Sequence, residues 1–149
     1  MARRSPALGD RPPGAFARHG TGRKTDCEAT GVQIQLLKSK IHRARITAAD
    51  LEYEGSLAID LDLMDAVGIL PFEKILVVNA TNGERLETYA IAAPRGSRTF
   101  CLNGAAARRG MVGDRITVMA FGLLPAEEAA EHKPRVIVMD ADNRVAPRT

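Results

Sequence analysis

The chain has no tryptophan, and only 4% of its residues are aromatic. It is therefore poorly supplied with the planar side chains that stack on unpaired bases, and nucleic acid is not an expected partner. No apolar run approaches the ~18 residues that a membrane-spanning helix needs; no membrane partner is expected either. The two cysteines, Cys27 and Cys101, stand far apart without a Cys-x-x-Cys motif. That excludes a disulfide framework and fits a reducing cytoplasm. The three histidines, His19, His42 and His132, lack metal-ligand spacing, so no metal site is indicated. Cys101, in the apolar run TFCL, reads as a buried thiol.

Charge of one sign is also missing where it would matter. Residues 1–31 carry six basic and three acidic side chains, whereas residues 32–149 carry 15 of each. The net charge of +3 belongs to the N-terminal segment, and the rest has no net pull on phosphates. That segment mixes arginine with glycine and proline and has no apolar periodicity or secretory h-region. It is expected to be a disordered basic extension.

From Val32 the texture changes to short β-type runs separated by turn signals, with 45% hydrophobic residues overall, enough for one packed core. The runs QIQLLKSK, RARIT, GSLAID, KILVVNA, RLETYAIAA, RTFCL, RITVMAFG and RVIVMD predict strands of a small barrel or sandwich occupying residues 32–149. Short helices are predicted at DLMDAVG, with an aspartate as N-cap, at NGAAARR, and at PAEEAAE, with proline in the first turn. Asn82-Gly83 predicts a type I′ hairpin turn.

Gly55-Ser56, inside YEGSLAID, carries the most specific chemistry. A serine hydroxyl can attack the carbonyl of the preceding residue, and glycine there leaves the approach uncrowded. An ordinary Gly-Ser is a turn; what lifts this one is its surroundings. The blocks KSKIHRARITAADLEYEGSLAID, TNGERLETYAIAAPRGSR and NGAAARRG together resemble the pyruvoyl-dependent aspartate 1-decarboxylase family, over nearly all of residues 32–142.

The resemblance implies a mainly β, double-psi β-barrel with a few short helices, assembled as a cytoplasmic homotetramer with active sites between subunits. It implies decarboxylation of L-aspartate to β-alanine and CO2 for pantothenate, hence coenzyme A, synthesis. The proenzyme would cleave itself between Gly55 and Ser56 through an acyl shift to the hydroxyl and β-elimination. Ser56 would become a covalently bound pyruvoyl group, which forms a Schiff base with substrate and acts as the electron sink in place of pyridoxal phosphate. No metal and no maturation factor are indicated.

Residue by residue, Tyr89 matches the family's proton donor, Arg85 its carboxylate-binding arginine, and Thr88 a threonine that assists self-cleavage and contacts substrate. Lys40 and His42 are two apart on a predicted strand and so share a face toward a dicarboxylate. Asn103, Gly104, Ala105 and Ala106 match the family's NGAA segment, which contacts the reacting serine or substrate. A turn capping a short helix would produce the same pattern. Tyr53 is expected to hold the precursor loop, with a core position as the alternative. On an ideal strand Thr88 and Tyr89 face opposite sides, so service to one centre calls for a twist, a bulge or two subunits.

Two departures stand out. Val78 replaces a tryptophan frequent in the family, and family chains usually begin near Val32. Because GTG can start translation in bacteria, residues 1–31 are expected not to be made. A non-catalytic β-barrel that binds DNA or serves as an oligomeric scaffold is the competing class, and predicts an uncut chain. A serine hydrolase using Ser56 and His42 lacks both a GxSxG elbow and an acid partner.

Overall fold

The computed structural model describes residues 31–147. The expectation of a disordered extension therefore falls outside the described residues, Gly31 apart. Eight strands, β1 (Gln33–Arg45), β2 (Ala48–Asp50), β3 (Ser56–Asp60), β4 (Lys74–Asn79), β5 (Arg85–Ala93), β6 (Phe100–Asn103), β7 (Arg115–Pro125) and β8 (Arg135–Val138), hydrogen-bond in the order β2-β6-β3-β5-β4-β7-β1-β8. The pairs β1–β8, β2–β6 and β3–β5 are parallel and the others antiparallel. This mixed, curled sheet with few short helices accords with the double-psi β-barrel expected above.

One face of the sheet encloses the core, built from Ile41, Leu57, Ile59, Ile75, Val77, Ala90, Phe100, Leu102, Ile116 and Val118 among others. These side chains recur at every second position, the period that puts alternate residues on one side of a strand. The predicted strands QIQLLKSK and RARIT join into the single β1. Register shifts at Leu37/Ser39 and Ile41/Ala44 bend it without ending it, and Arg43 takes up the second with φ of 66°. β2 escapes the sequence pattern because its three residues are all exposed.

Helix α1 (Leu61–Val67) buries Leu63, Met64 and Val67. Its N-cap is Asp60 rather than the Asp62 that opens DLMDAVG and falls in the first turn; Asp60 accepts from Asp62 N at 3.0 Å and also from Gly96 N and Arg98 N. The buried carboxylate thus ties the helix start to the β5–β6 connection. The NGAAARR segment forms a 3-10 helix, Gly104–Arg109. Helix α2 (Ala126–Ala129) has Pro125 as its N-cap rather than in its first turn.

The β4–β5 hairpin exists, but its turn is not type I′. Gly83 has φ of 81° whereas Asn82 is not left-handed, and Gly83 N donates to Asn79 O across a longer loop. The buried Asn79 organises it by accepting from Thr81 N and Asn82 N. A side-chain turn has replaced the two-residue one.

Candidate active site

Ser56 is the first residue of β3 and stands opposite Asn103, the last of β6. Its side chain is fully buried, and Asn103 Nδ2 donates to its Oγ at 2.9 Å. Asn103 occupies the N-cap position of the 3-10 helix but makes no capping hydrogen bond. Its amide is committed to Ser56, so the capping explanation of NGAA is not realised.

The peptide bond before Ser56 is clamped by glycine. Gly55 has φ of 26°, and its N–H closes a tight turn onto Tyr53 O at 3.0 Å. Gly104, with φ of 60°, packs so closely that a Cβ there would lie 2.5 Å from Gly55 N and 2.6 Å from Tyr53 O. No residue but glycine fits both the conformation and the space. Tyr53 itself is 51% exposed, which rules out the core alternative. Of the other NGAA residues, Ala106 is buried and Ala105 exposed.

Strand alternation shows which groups share a face. On β3 and β6, Leu57, Ile59, Phe100 and Leu102 enter the core, so Ser56, Cys101 and Asn103 point away from it. On β5 the exposed Arg85, Glu87 and Tyr89 likewise point outward, while Thr88 lies on the core side with Ala90. β3 runs parallel to β5 with Leu57 opposite Ala90. Continued back by one residue, that register sets Ser56, the first residue of β3, level with Tyr89, whereas Gly55, with φ of 26°, lies outside the strand. The β4–β5 register is unbroken from Lys74/Tyr89 to Val78/Arg85, so no bulge turns Thr88 and Tyr89 to one side. Phe72 lies against Tyr89, with ring centroids 6.5 Å apart.

Lys40 and His42 also face outward, alternating with the buried Ser39 and Ile41. They are distant from Arg85 within one chain. Lys40 pairs with Met119, Met119 with Leu76, and Leu76 with Glu87, while Val78 bridges Thr117 and Arg85. Three strand spacings of roughly 4.8 Å separate β1 from β5, about 14 Å along the sheet. His42 Nδ1 shares a hydrogen bond with Thr117 Oγ1 at 3.0 Å. Burial, and then the charges of Lys40, Arg43 and Arg115, push its pKa down, which favours the neutral imidazole. Lys40 and Arg85 enter no ion pair among the described residues, unlike Lys38 with Glu73 or Lys74 with Glu87.

Three participants escaped the sequence reading. Cys101 is only partly buried, and its Sγ lies 3.2 Å from Asn103 Oδ1. The signal was present in Cys-x-Asn spacing, which puts both side chains on one face of a strand. Thr117 is identified only by the β1–β7 pairing, which no local pattern encodes. Asp114 accepts from Asn79 Nδ2 at 2.8 Å and from Met111 N at 3.0 Å, anchoring the loop after the 3-10 helix to the hairpin.

The family model for aspartate decarboxylase matches residues 32–146. The chain is 54% identical over 114 residues to a protein of Maricaulis maris, covering 76% of this chain and 94% of that one. It is 56% identical over 113 residues to one of Syntrophobacter fumaroxidans, covering 76% and 91%. To one of Thioalkalivibrio sulfidiphilus it is 55% identical over 112 residues, covering 75% and 89%. All three bear the name aspartate 1-decarboxylase.

Proposed function

Since the chain belongs to the aspartate decarboxylase family, we propose that it removes the α-carboxylate of L-aspartate to give β-alanine and CO2, after cutting itself between Gly55 and Ser56. The observation that carries the cut is the sealed hydroxyl of Ser56, held by Asn103 Nδ2 at 2.9 Å on a peptide that Gly104 locks in place.

The atoms balance without an oxidant. Ser56 Oγ bonds to the Gly55 carbonyl carbon, the C–N bond to Ser56 breaks, and the hydroxyl proton ends on the freed amine. Loss of the Ser56 α-proton with the Gly55 carboxylate as leaving group yields dehydroalanine. Water then replaces its nitrogen, releasing ammonia and leaving a pyruvoyl terminus on residue 56. Thr88, which precedes Tyr89 on the strand paired with β3, is the residue we assign to hydrogen-bond the carbonyl oxygen as charge develops there.

The site's residues fit such a group: no side chain crowds position 55, and the Asn103 amide donates to residue 56. When formed, the pyruvoyl carbonyl supplies the electron sink for decarboxylation. The chain's own side chains do the rest. Arg85 and Lys40 are cations free to take carboxylates, a guanidinium in two-point fashion. Tyr89, whose phenol carries an O–H, is the group we assign to return a proton. Asn103 and Gly104 border the same position, and we extend the substrate-contacting role to the following Ala105 and Ala106.

Because β1 and β5 present their cations about 14 Å apart along one sheet, we propose that a second copy completes each site, within a homotetramer. The outward side chains Leu76, Val78, Met119 and Phe121, an apolar strip between those cations, support an assembly face there. We also propose a cytoplasmic setting for the pantothenate route; among the described residues no helix is long and apolar enough to cross a membrane. An alternative start at Val32, which would leave out residues 1–31, is tested by the N-terminal peptide of native protein.

Intact mass under denaturing conditions is the direct test. Incubated protein should show a fragment ending at Gly55 and a second of residues 56–149 blocked to Edman chemistry, with a tetramer mass under native conditions. Ser56→Ala should stay whole and make no β-alanine while remaining folded. A native chain that remains intact and inactive toward aspartate would sink the proposal.

A further inference from the structure

Asn103 can present either end of its amide to Ser56, and the two ends do opposite things. The NH2 end donates to Oγ; the oxygen would instead capture the serine's hydroxyl proton. Which end faces Ser56 depends on what stands at the other. That neighbour is Cys101, two residues earlier on β6, with Sγ 3.2 Å from Asn103 Oδ1. A thiol is a weak donor and a weak acceptor, but the single proton it carries here is turned to the amide oxygen, which it holds toward itself. The NH2 is thereby left for Ser56 Oγ, where it is seen at 2.9 Å.

We propose that Cys101 is a positioning residue for self-cleavage: its thiol proton fixes the Asn103 amide so that Nδ2 donates to Ser56 Oγ. This inference rests on the reading of Gly55-Ser56 as the bond that is cut. The donated hydrogen bond occupies one lone pair of Oγ and stabilises negative charge as the O–H bond lengthens. The hydroxyl proton remains free to depart, finally to the Ser56 nitrogen, as the Oγ–C bond forms and the C–N bond breaks. Cys101 exchanges no bond or electron in this. It must only keep its proton, because a thiolate would attract the NH2 end and turn the amide round. Burial, with a lesser contribution from the Asp50 carboxylate, pushes the thiol pKa up and favours the protonated form.

The chain is long enough in the strand to separate this role from packing. Cys101 sits in mid-β6 between Phe100 and Leu102, both fully buried, while its own side chain is only partly so. Removing the S–H therefore leaves the core contacts of β6 in place. A serine hydroxyl at the same position would supply an equivalent donor.

The experiment follows the first-order disappearance of freshly purified full-length precursor by intact mass, with melting temperatures of the uncut forms as a folding control. Cys101→Ala, and the similar-sized Cys101→Val should the first fold poorly, are expected to slow cleavage about tenfold, the scale of one hydrogen bond. Cys101→Ser should remain within about threefold of native. Native-like cleavage in Cys101→Ala or Cys101→Val overturns the inference while leaving the self-cleavage reading intact. So does a Cys101→Ser variant as slow as Cys101→Ala at an unchanged melting temperature. A native chain that never cleaves overturns both.

Discussion

At the scale of single residues, the clearest constraint is Gly104. Its left-handed φ of 60° and a clash at 2.5 Å with backbone would act together on any side chain placed there. Gly104→Ala, introduced into a Ser56→Ala background so that all molecules are uncut, is expected to lower stability by at least about 2 kcal/mol in urea unfolding. In the cleavable chain the same change should slow cutting, because Gly55 is what it displaces. His42 supplies a pH prediction. Its folded pKa lies below the ordinary value, so between that lowered value and about 6.5 the unfolded chain binds more protons than the folded one. Stability should therefore fall as pH drops through that window, and His42→Asn should flatten the dependence. An imidazole NMR titration should show a midpoint below 6.5, rising when L-aspartate brings a carboxylate near Lys40.

At the scale of elements, the β4–β5 hairpin is held by one buried side chain. Asn79 accepts from two loop N–H groups and donates to Asp114 and Arg109 O. Asn79→Ala should cost about 2 kcal/mol, read as a lowered melting temperature of the uncut Ser56→Ala form, since it removes a buried bond to Asp114 and three part-buried ones. This hairpin also illustrates what the sequence made legible. Asn82-Gly83 marks the reversal correctly because glycine tolerates φ of 81°, but the turn type depends on Asn79, whose side chain competes for the loop's N–H groups. Most strands were legible from their alternation of apolar residues. β2 was not, having no buried face, and the union of two predicted strands into β1 depends on bulges that local composition does not signal. For the site, Ser56, Asn103 and Tyr89 were readable as a motif. Cys101 could have been found from its Cys-x-Asn spacing on β6, whereas Thr117, the partner of His42, belongs to strand pairing and emerges only with the fold.

At the scale of the whole molecule, the bond proposed for cleavage lies between elements that are thoroughly interleaved. β1 is flanked by β7 and β8, and β2 pairs with β6, so the two described strands that precede Gly55 are both seated against strands from beyond Ser56. Once cut, the two pieces should co-elute under native conditions. The consequence concerns time and concentration. An uncut chain reaches this fold as a unimolecular process, whereas a cut one that has been denatured must bring two polypeptides back together, so its recovery depends on protein concentration. Ser56→Ala should refold with a yield independent of dilution, while processed protein should recover less as it is diluted; equal recovery would contradict this. Bond cleavage at the head of β3 would make maturation a ratchet: the architecture is assembled with a continuous backbone, and afterwards is kept rather than remade.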